Sequence, residues 1–99
     1  KNIIRPYFDT YENPAYKGGE GYTHFEIQNL RELSSPDGEL QGLAVVDDVM
    51  ELTDEELDFC SVVYGIYGRC NWGGSEYLTH YDTLTEARRV LRMIGVVLP

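Results

Sequence analysis

Tyr22-Thr23-His24-Phe25-Glu26-Ile27-Gln28 alternates in steps of two. Thr23, Phe25 and Ile27 fall on one side and His24, Glu26 and Gln28 on the other, the signature of a half-buried β-strand. Downstream, Ser34-Ser35-Pro36-Asp37-Gly38 is a strong turn, with proline presetting φ and glycine supplying a positive one. Glu39 to Val46 then returns as a second strand, so the two segments form a hairpin.

Further along, Phe59 to Arg69 is β-branched and aromatic. Gly65 and Gly68 would each weaken a helix there by about 1 kcal/mol, so the segment is predicted as a strand. Asn71-Trp72-Gly73-Gly74 closes a second hairpin and Glu76 to Tyr81 returns. Thr83-Leu84-Thr85-Glu86 is a capping box, and Leu84, Ala87, Leu91 and Ile94 recur at helical spacing. Gly95 suits the C′ position of that helix, and Arg88, Arg89 and Arg92 agree with its dipole. Thr53-Asp54-Glu55-Glu56 is a second capping box, predicting a short acidic helix over 54–58. In the other direction, residues 1–21 are rich in Tyr, Pro and Gly. Ile3 to Phe8 reads as an edge strand interrupted by Pro6, and the rest to Gly21 reads as irregular loop. The expected architecture is a small α+β domain over residues 1–99. It has an antiparallel sheet of two hairpins, a C-terminal helix packed on one face and a short acidic helix.

Ninety-nine residues make one domain, and an apolar fraction of 42% supports a folded core despite a net charge of −9. The charge is uneven. Residues 1–68 hold four basic and fourteen acidic side chains, whereas Arg69, Arg88, Arg89 and Arg92 slightly outnumber Glu76, Asp82 and Glu86 beyond them. Phosphates are repelled by the acidic part, which argues against direct nucleic-acid binding through it and favours a basic protein partner or simply solubility. No run of eighteen apolar residues predicts a membrane span, and Lys1-Asn2-Ile3-Ile4-Arg5-Pro6 lacks the apolar core of a secretory signal. Cys60 and Cys70 on one strand would stand roughly 30 Å apart, beyond disulfide reach. Free thiols point to a reducing, cytoplasmic compartment.

Motifs for chemistry are missing. Cys60, Cys70, His24 and His80 contain neither Cys-x-x-Cys nor His-x-x-x-His, so no metal is expected. An EF-hand loop beginning at Asp47 or Asp48 fails at its third and fifth positions and lacks the glycine at its sixth. Gly18-Gly19-Glu20-Gly21 and Trp72-Gly73-Gly74 lack the lysine and the strand–loop–helix setting of a phosphate loop. Two Cys and two His without a local signature do not make a nucleophile–base pair. No cofactor and no catalytic activity are expected.

Seven of the twelve residues from Asp47 to Asp58 are acidic: Asp47, Asp48, Glu51, Asp54, Glu55, Glu56 and Asp58. Fully extended, the segment spans roughly 40 Å, about one charge per 6 Å; as a helix it spans about 18 Å, one per roughly 2.6 Å. Duplex DNA carries about one per 1.7 Å, so only a helical form approaches the density of a phosphate backbone. Packing like charges this way costs some tenths of a kcal/mol per pair, which favours a docking face; the plain alternative is a solvated loop. Eight tyrosines either cover the sheet or supply desolvated interface anchors. Tyr11, Tyr16 and Tyr22, in the irregular-looking N-terminal quarter, are the better anchor candidates.

Val62-Val63-Tyr64-Gly65-Ile66-Tyr67-Gly68-Arg69, a Gly-Gly turn, and Tyr81-Asp82-Thr83-Leu84-Thr85-Glu86-Ala87 resemble a strand–turn–strand–helix unit of short phage and mobile-element proteins. With its small size and acidity, the chain resembles phage-encoded inhibitors of bacterial defence, of the anti-CRISPR and anti-restriction type. The resemblance covers about the last forty residues and carries over no functional residue. It implies a stoichiometric, non-enzymatic inhibitor in the host bacterial cytoplasm, a monomer or dimer. Such a protein would dock on the basic surface of a CRISPR effector or restriction enzyme, with the acidic stretch as a DNA mimic. The alternative is a phage structural or assembly protein that self-associates through sheet edges or the C-terminal helix.

Overall fold

The alternation at Tyr22 opens a strand much longer than the repeat that announces it. In the computed structural model, which describes residues 2–34, 37, 39–57 and 61–93, β3 runs Tyr22–Ser34 and is the spine of the protein. One edge of β3 is shared end to end. β2 (Phe8–Glu12) pairs with its first half, from Glu12 opposite His24 to Phe8 opposite Gln28. β4 (Leu40–Val45) pairs with its second half. Its other edge carries β6 (Val62–Cys70), followed by β7 (Ser75–Tyr81), and all these pairs are antiparallel. A separate two-stranded sheet joins β1 (Asn2–Ile4) to β5 (Met50–Leu52). Two helices complete the α+β fold: α1 (Asp54–Leu57) and α2 (Leu84–Met93).

Both expected hairpins are present, β3–β4 and β6–β7, and α2 starts where its capping box places it. Thr83 Oγ1 accepts the Glu86 amide at 3.1 Å. Ala87 and Leu91 are buried against Tyr11, Phe25, Ile27 and Ile66, with Leu84 and Val90 half-buried beside them. The pleat sets which residues meet the helix: Ile27 faces Ile66 and Phe25 faces Gly68 across the ladder, so these fall on one side of the sheet. Leu30, Val46, Leu52 and Val63 are buried outside that cluster. The expected helix-face residue Ile94, the cap Gly95 and the thiol Cys60 lie outside the described residues.

The N-terminal quarter is the main correction. Instead of a broken edge strand and a loop, it forms β1 and β2, which belong to different sheets, with Pro6 in the crossover between them. Asn29, 3% exposed, makes the crossover possible: its Oδ1 accepts the Tyr7 amide at 2.8 Å and its Nδ2 donates to Arg5 O at 2.7 Å. The second correction is β5, a strand inside the acidic stretch.

Candidate functional site

The structure divides the acidic stretch into three settings. Asp47 and Asp48 stand in the connection after β4, Glu51 is on β5, and Asp54, Glu55 and Glu56 form the first turn of α1. All six are exposed; Asp58 lies outside the described residues. A helix-like charge density is therefore reached only at Asp54, Glu55 and Glu56, because Met50 to Leu52 is extended. Phosphate-backbone spacing does not extend over the whole stretch.

The carboxylates of β5 and α1 sit on a platform hydrogen-bonded into the fold. Asn2 Nδ2 donates to Leu52 O at 3.2 Å and to Asp54 Oδ1 at 2.8 Å, tying α1 to β1. The Thr53 capping box closes in both directions: Thr53 Oγ1 accepts the Glu56 amide and Glu56 Oε1 accepts the Thr53 amide, each at 3.1 Å. Leu52 is buried beneath, while its neighbour Glu51 points outward opposite Ile3. Ile3 and Val49 are each about half exposed, so aliphatic surface interrupts the charge. Among the described residues, no basic side chain pairs with Asp47, Asp48, Asp54, Glu55 or Glu56. Asn2, Glu51, Thr53 and Asp54 line an open hollow of about 520 Å³ on this platform.

The three tyrosines do not join it. Tyr11 is 2% exposed and lies in the core beneath α2, unavailable as a surface anchor. Its hydroxyl donates to Asp9 Oδ2 at 3.0 Å and accepts from Arg88 Nε at 3.3 Å, while Arg88 Nη2 donates to the Tyr7 hydroxyl at 3.1 Å. Burial, chiefly, pushes the Tyr11 phenol up to about 12. Arg88, read from sequence as a helix-dipole partner, thus clamps α2 onto β2. Tyr16 and Tyr22 are half-buried, with hydroxyls donating to Gly19 O at 3.1 Å and Glu76 Oε2 at 2.6 Å.

Tyr22 belongs to the other end of the sheet. There the Gly18–Gly21 segment meets the β6–β7 turn, and Asn71 Nδ2 donates to Gly19 O. Glu20, Tyr22, Cys70, Asn71, Trp72 and Glu76 line a hollow of about 340 Å³. Trp72 is 74% exposed. Sequence reading passed over this residue as part of a turn, although a lone tryptophan beside two glycines in an acidic chain was a visible signal. The Cys70 thiol is pushed up by burial and then by the Glu76 charge, so it is a poor thiolate nucleophile. Elsewhere, buried Glu26 meets Arg69 Nη2 at 3.4 Å and His24 Nε2 at 3.7 Å on the sheet face away from α2.

No group of three or more potential metal ligands gathers among the described residues, and no helix there is long and apolar enough to cross a membrane. The chain matches no protein-family model, no curated protein and no solved structure.

Proposed function

We propose that the protein is a non-enzymatic inhibitor that docks its acidic platform on the Lys/Arg-rich surface of a nucleic-acid-handling protein. The observation that supports this most is the set of exposed carboxylates, Asp47, Asp48, Asp54, Glu55 and Glu56. They lack basic partners among the described residues, and Asp54 and Glu56 are held on a hydrogen-bonded frame. A frame that holds like charges together loses some stability to repulsion and is pre-organised for a cationic surface. Exposed Ile3 and Val49 supply the apolar contact that charge alone does not. In this reading the target is a bacterial CRISPR effector or restriction enzyme, met in the host cytoplasm by a monomer or dimer. The three carboxylates of α1 act as a local DNA mimic rather than an extended one.

Self-assembly through sheet edges has less support. The β6–β7 ladder slips between Ile66 and Tyr67, leaving Leu78 as an extra residue on β7. A bulge of this kind twists an edge away from further pairing.

Asp47 and Glu55 make no hydrogen bond among the described residues, so Asp47→Lys with Glu55→Lys reverses charge without removing a contact. Immobilised wild-type chain is expected to capture a nucleic-acid-handling protein from bacterial lysate, released as salt rises, and to block that protein's nucleic-acid binding. The double variant is expected to bind at least about tenfold more weakly. Equal capture and inhibition by both chains would remove the proposal.

A further inference from the structure

The hollow around Trp72 shares no lining residue with the hollow on the acidic platform. α1 leads within a few residues into the start of β6, whereas Trp72 follows its end. The nine residues of β6 between them run roughly 26 Å, within a body 47 Å long.

Its walls are fixed by contacts from three segments. Asn71 bonds to Gly19, Tyr22 bonds to Glu76, and the turn is closed by the Cys70 amide on Gly74 O at 2.7 Å and the Gly73 amide on Cys70 O at 3.0 Å. Arg69 Nη1 also reaches over the turn to Gly73 O at 2.9 Å. The outer edge of the Trp72 six-membered ring crowds Gly74, where a Cβ would clash with Cη2 and Cζ3. That edge of the ring is therefore set against backbone and the rest of the indole remains largely exposed to solvent. Tyr22 is seated in a similar way over Gly68 and meets Phe25 edge-on at 5.8 Å. The aromatic walls are thus held in position before any ligand arrives.

The chemistry of the lining selects the ligand. Glu20 and Glu76 contribute two carboxylates, and neither has a Lys or Arg partner among the described residues. An indole face attracts cations through its quadrupole, and nearby carboxylates add to that attraction while repelling anions. A phosphate or a carboxylate ligand is excluded on charge. A guanidinium suits the site better than an ammonium because it is planar, stacks on aromatic faces and presents its donors as a fork toward carboxylates. We propose that this hollow receives an arginine side chain of a protein partner, stacked on Trp72 and paired with Glu20 and Glu76. It is a second contact point, independent of the acidic platform, and it gives recognition of a particular side chain where the platform gives general attraction.

The chain has one tryptophan, so a single indole N–H signal in a proton–nitrogen NMR spectrum reads the site directly. The probes are three uncharged-end pentapeptides, Gly-Gly-X-Gly-Gly, with X arginine, lysine or citrulline, titrated to millimolar concentration. The arginine peptide is expected to shift the Trp72 indole signal saturably, with lysine weaker and the neutral isostere citrulline weaker by about tenfold or more. Glu76→Gln is expected to weaken arginine binding, and Gly74→Ala to abolish it by displacing the indole, with the amide signals of Ile27 and Ile66 in the main core unchanged in both. Asp47→Lys with Glu55→Lys is expected to leave the response intact. Absence of a saturable shift in folded wild-type protein, or equal binding of the arginine and citrulline peptides, would overturn the inference. So would equal binding of arginine and lysine, or loss of the response in the platform variant.

Discussion

Asn29 serves as a strand neighbour for Tyr7, accepting its amide at 2.8 Å through a side-chain oxygen, while the Asn29 amide donates back to Tyr7 O at 3.4 Å. The chain can therefore leave one sheet at Ile4, pass through Pro6 and enter another at Phe8 with its buried polar groups satisfied. Through that crossover, the core strand β2 and the strand β1 that carries the acidic platform are held in fixed relation.

Replacing Asn29 should be costly for its size. Asn29→Ala leaves the Tyr7 amide and the Arg5 carbonyl without partners next to a position that is 3% exposed. A destabilisation of about 2–3 kcal/mol is expected, read as a lower urea midpoint with an unchanged slope. A loss under about 0.5 kcal/mol would mean that water replaces the side chain at no cost.

Alkaline pH offers a separate handle on the clamp between α2 and β2. The Tyr11 phenol moves from 10.0 to about 12 because burial and Asp9 outweigh the hydrogen bond from Arg88. The folded chain thus holds this proton more tightly than the unfolded chain. Its contribution is complete below pH 10 and is lost as pH climbs toward 12. The melting temperature of the wild type is expected to fall more steeply over that window than that of Tyr11→Phe, which has no phenol to ionise. Parallel profiles would show that Tyr11 is not the group responsible.

Leu91 tests the docking of α2 itself. It is fully buried in the cluster with Tyr11, Phe25 and Ile27. Leu91→Ala is expected to destabilise by about 2–5 kcal/mol, whereas Arg92→Ala one residue on, being exposed, should stay within about 0.5 kcal/mol. Thermal melts of the two variants make the comparison.

What sequence reading recovered follows from where the signals are local. The β3–β4 and β6–β7 hairpins pair strands that follow one another in the chain, and both capping boxes lie within four residues, so each is visible in a short window. β1 and β5 are three residues each and pair across fifty positions, Asn2 with Leu52, which no local pattern reveals. β2 was hidden because its inward residues, Asp9 and Tyr11, are polar. The buried Tyr11 hydroxyl is met by Arg88, seventy-seven positions away. The same distance explains why Tyr11 resembled a surface anchor. The acidic residues were legible as a charge block, but their division among loop, strand and helix was not, since β5 exists only through β1.

That dependence makes Asn2 the residue on which the platform's order rests. Its Nδ2 bridges Leu52 O and Asp54 Oδ1, so Asn2→Ala removes both links while leaving every acidic side chain in place. Local opening of β5 and α1 should become easier without a comparable change in the main sheet. Hydrogen exchange is expected to accelerate several-fold at the amides of Glu51 to Leu57 and to stay unchanged at Ile27 and Ile66, both in the main core. If pre-organised carboxylates matter, affinity for the basic target should drop by several-fold even though net charge is conserved. Faster exchange with undiminished affinity would mean that the charges act only as a diffuse field, and salt alone would then govern binding.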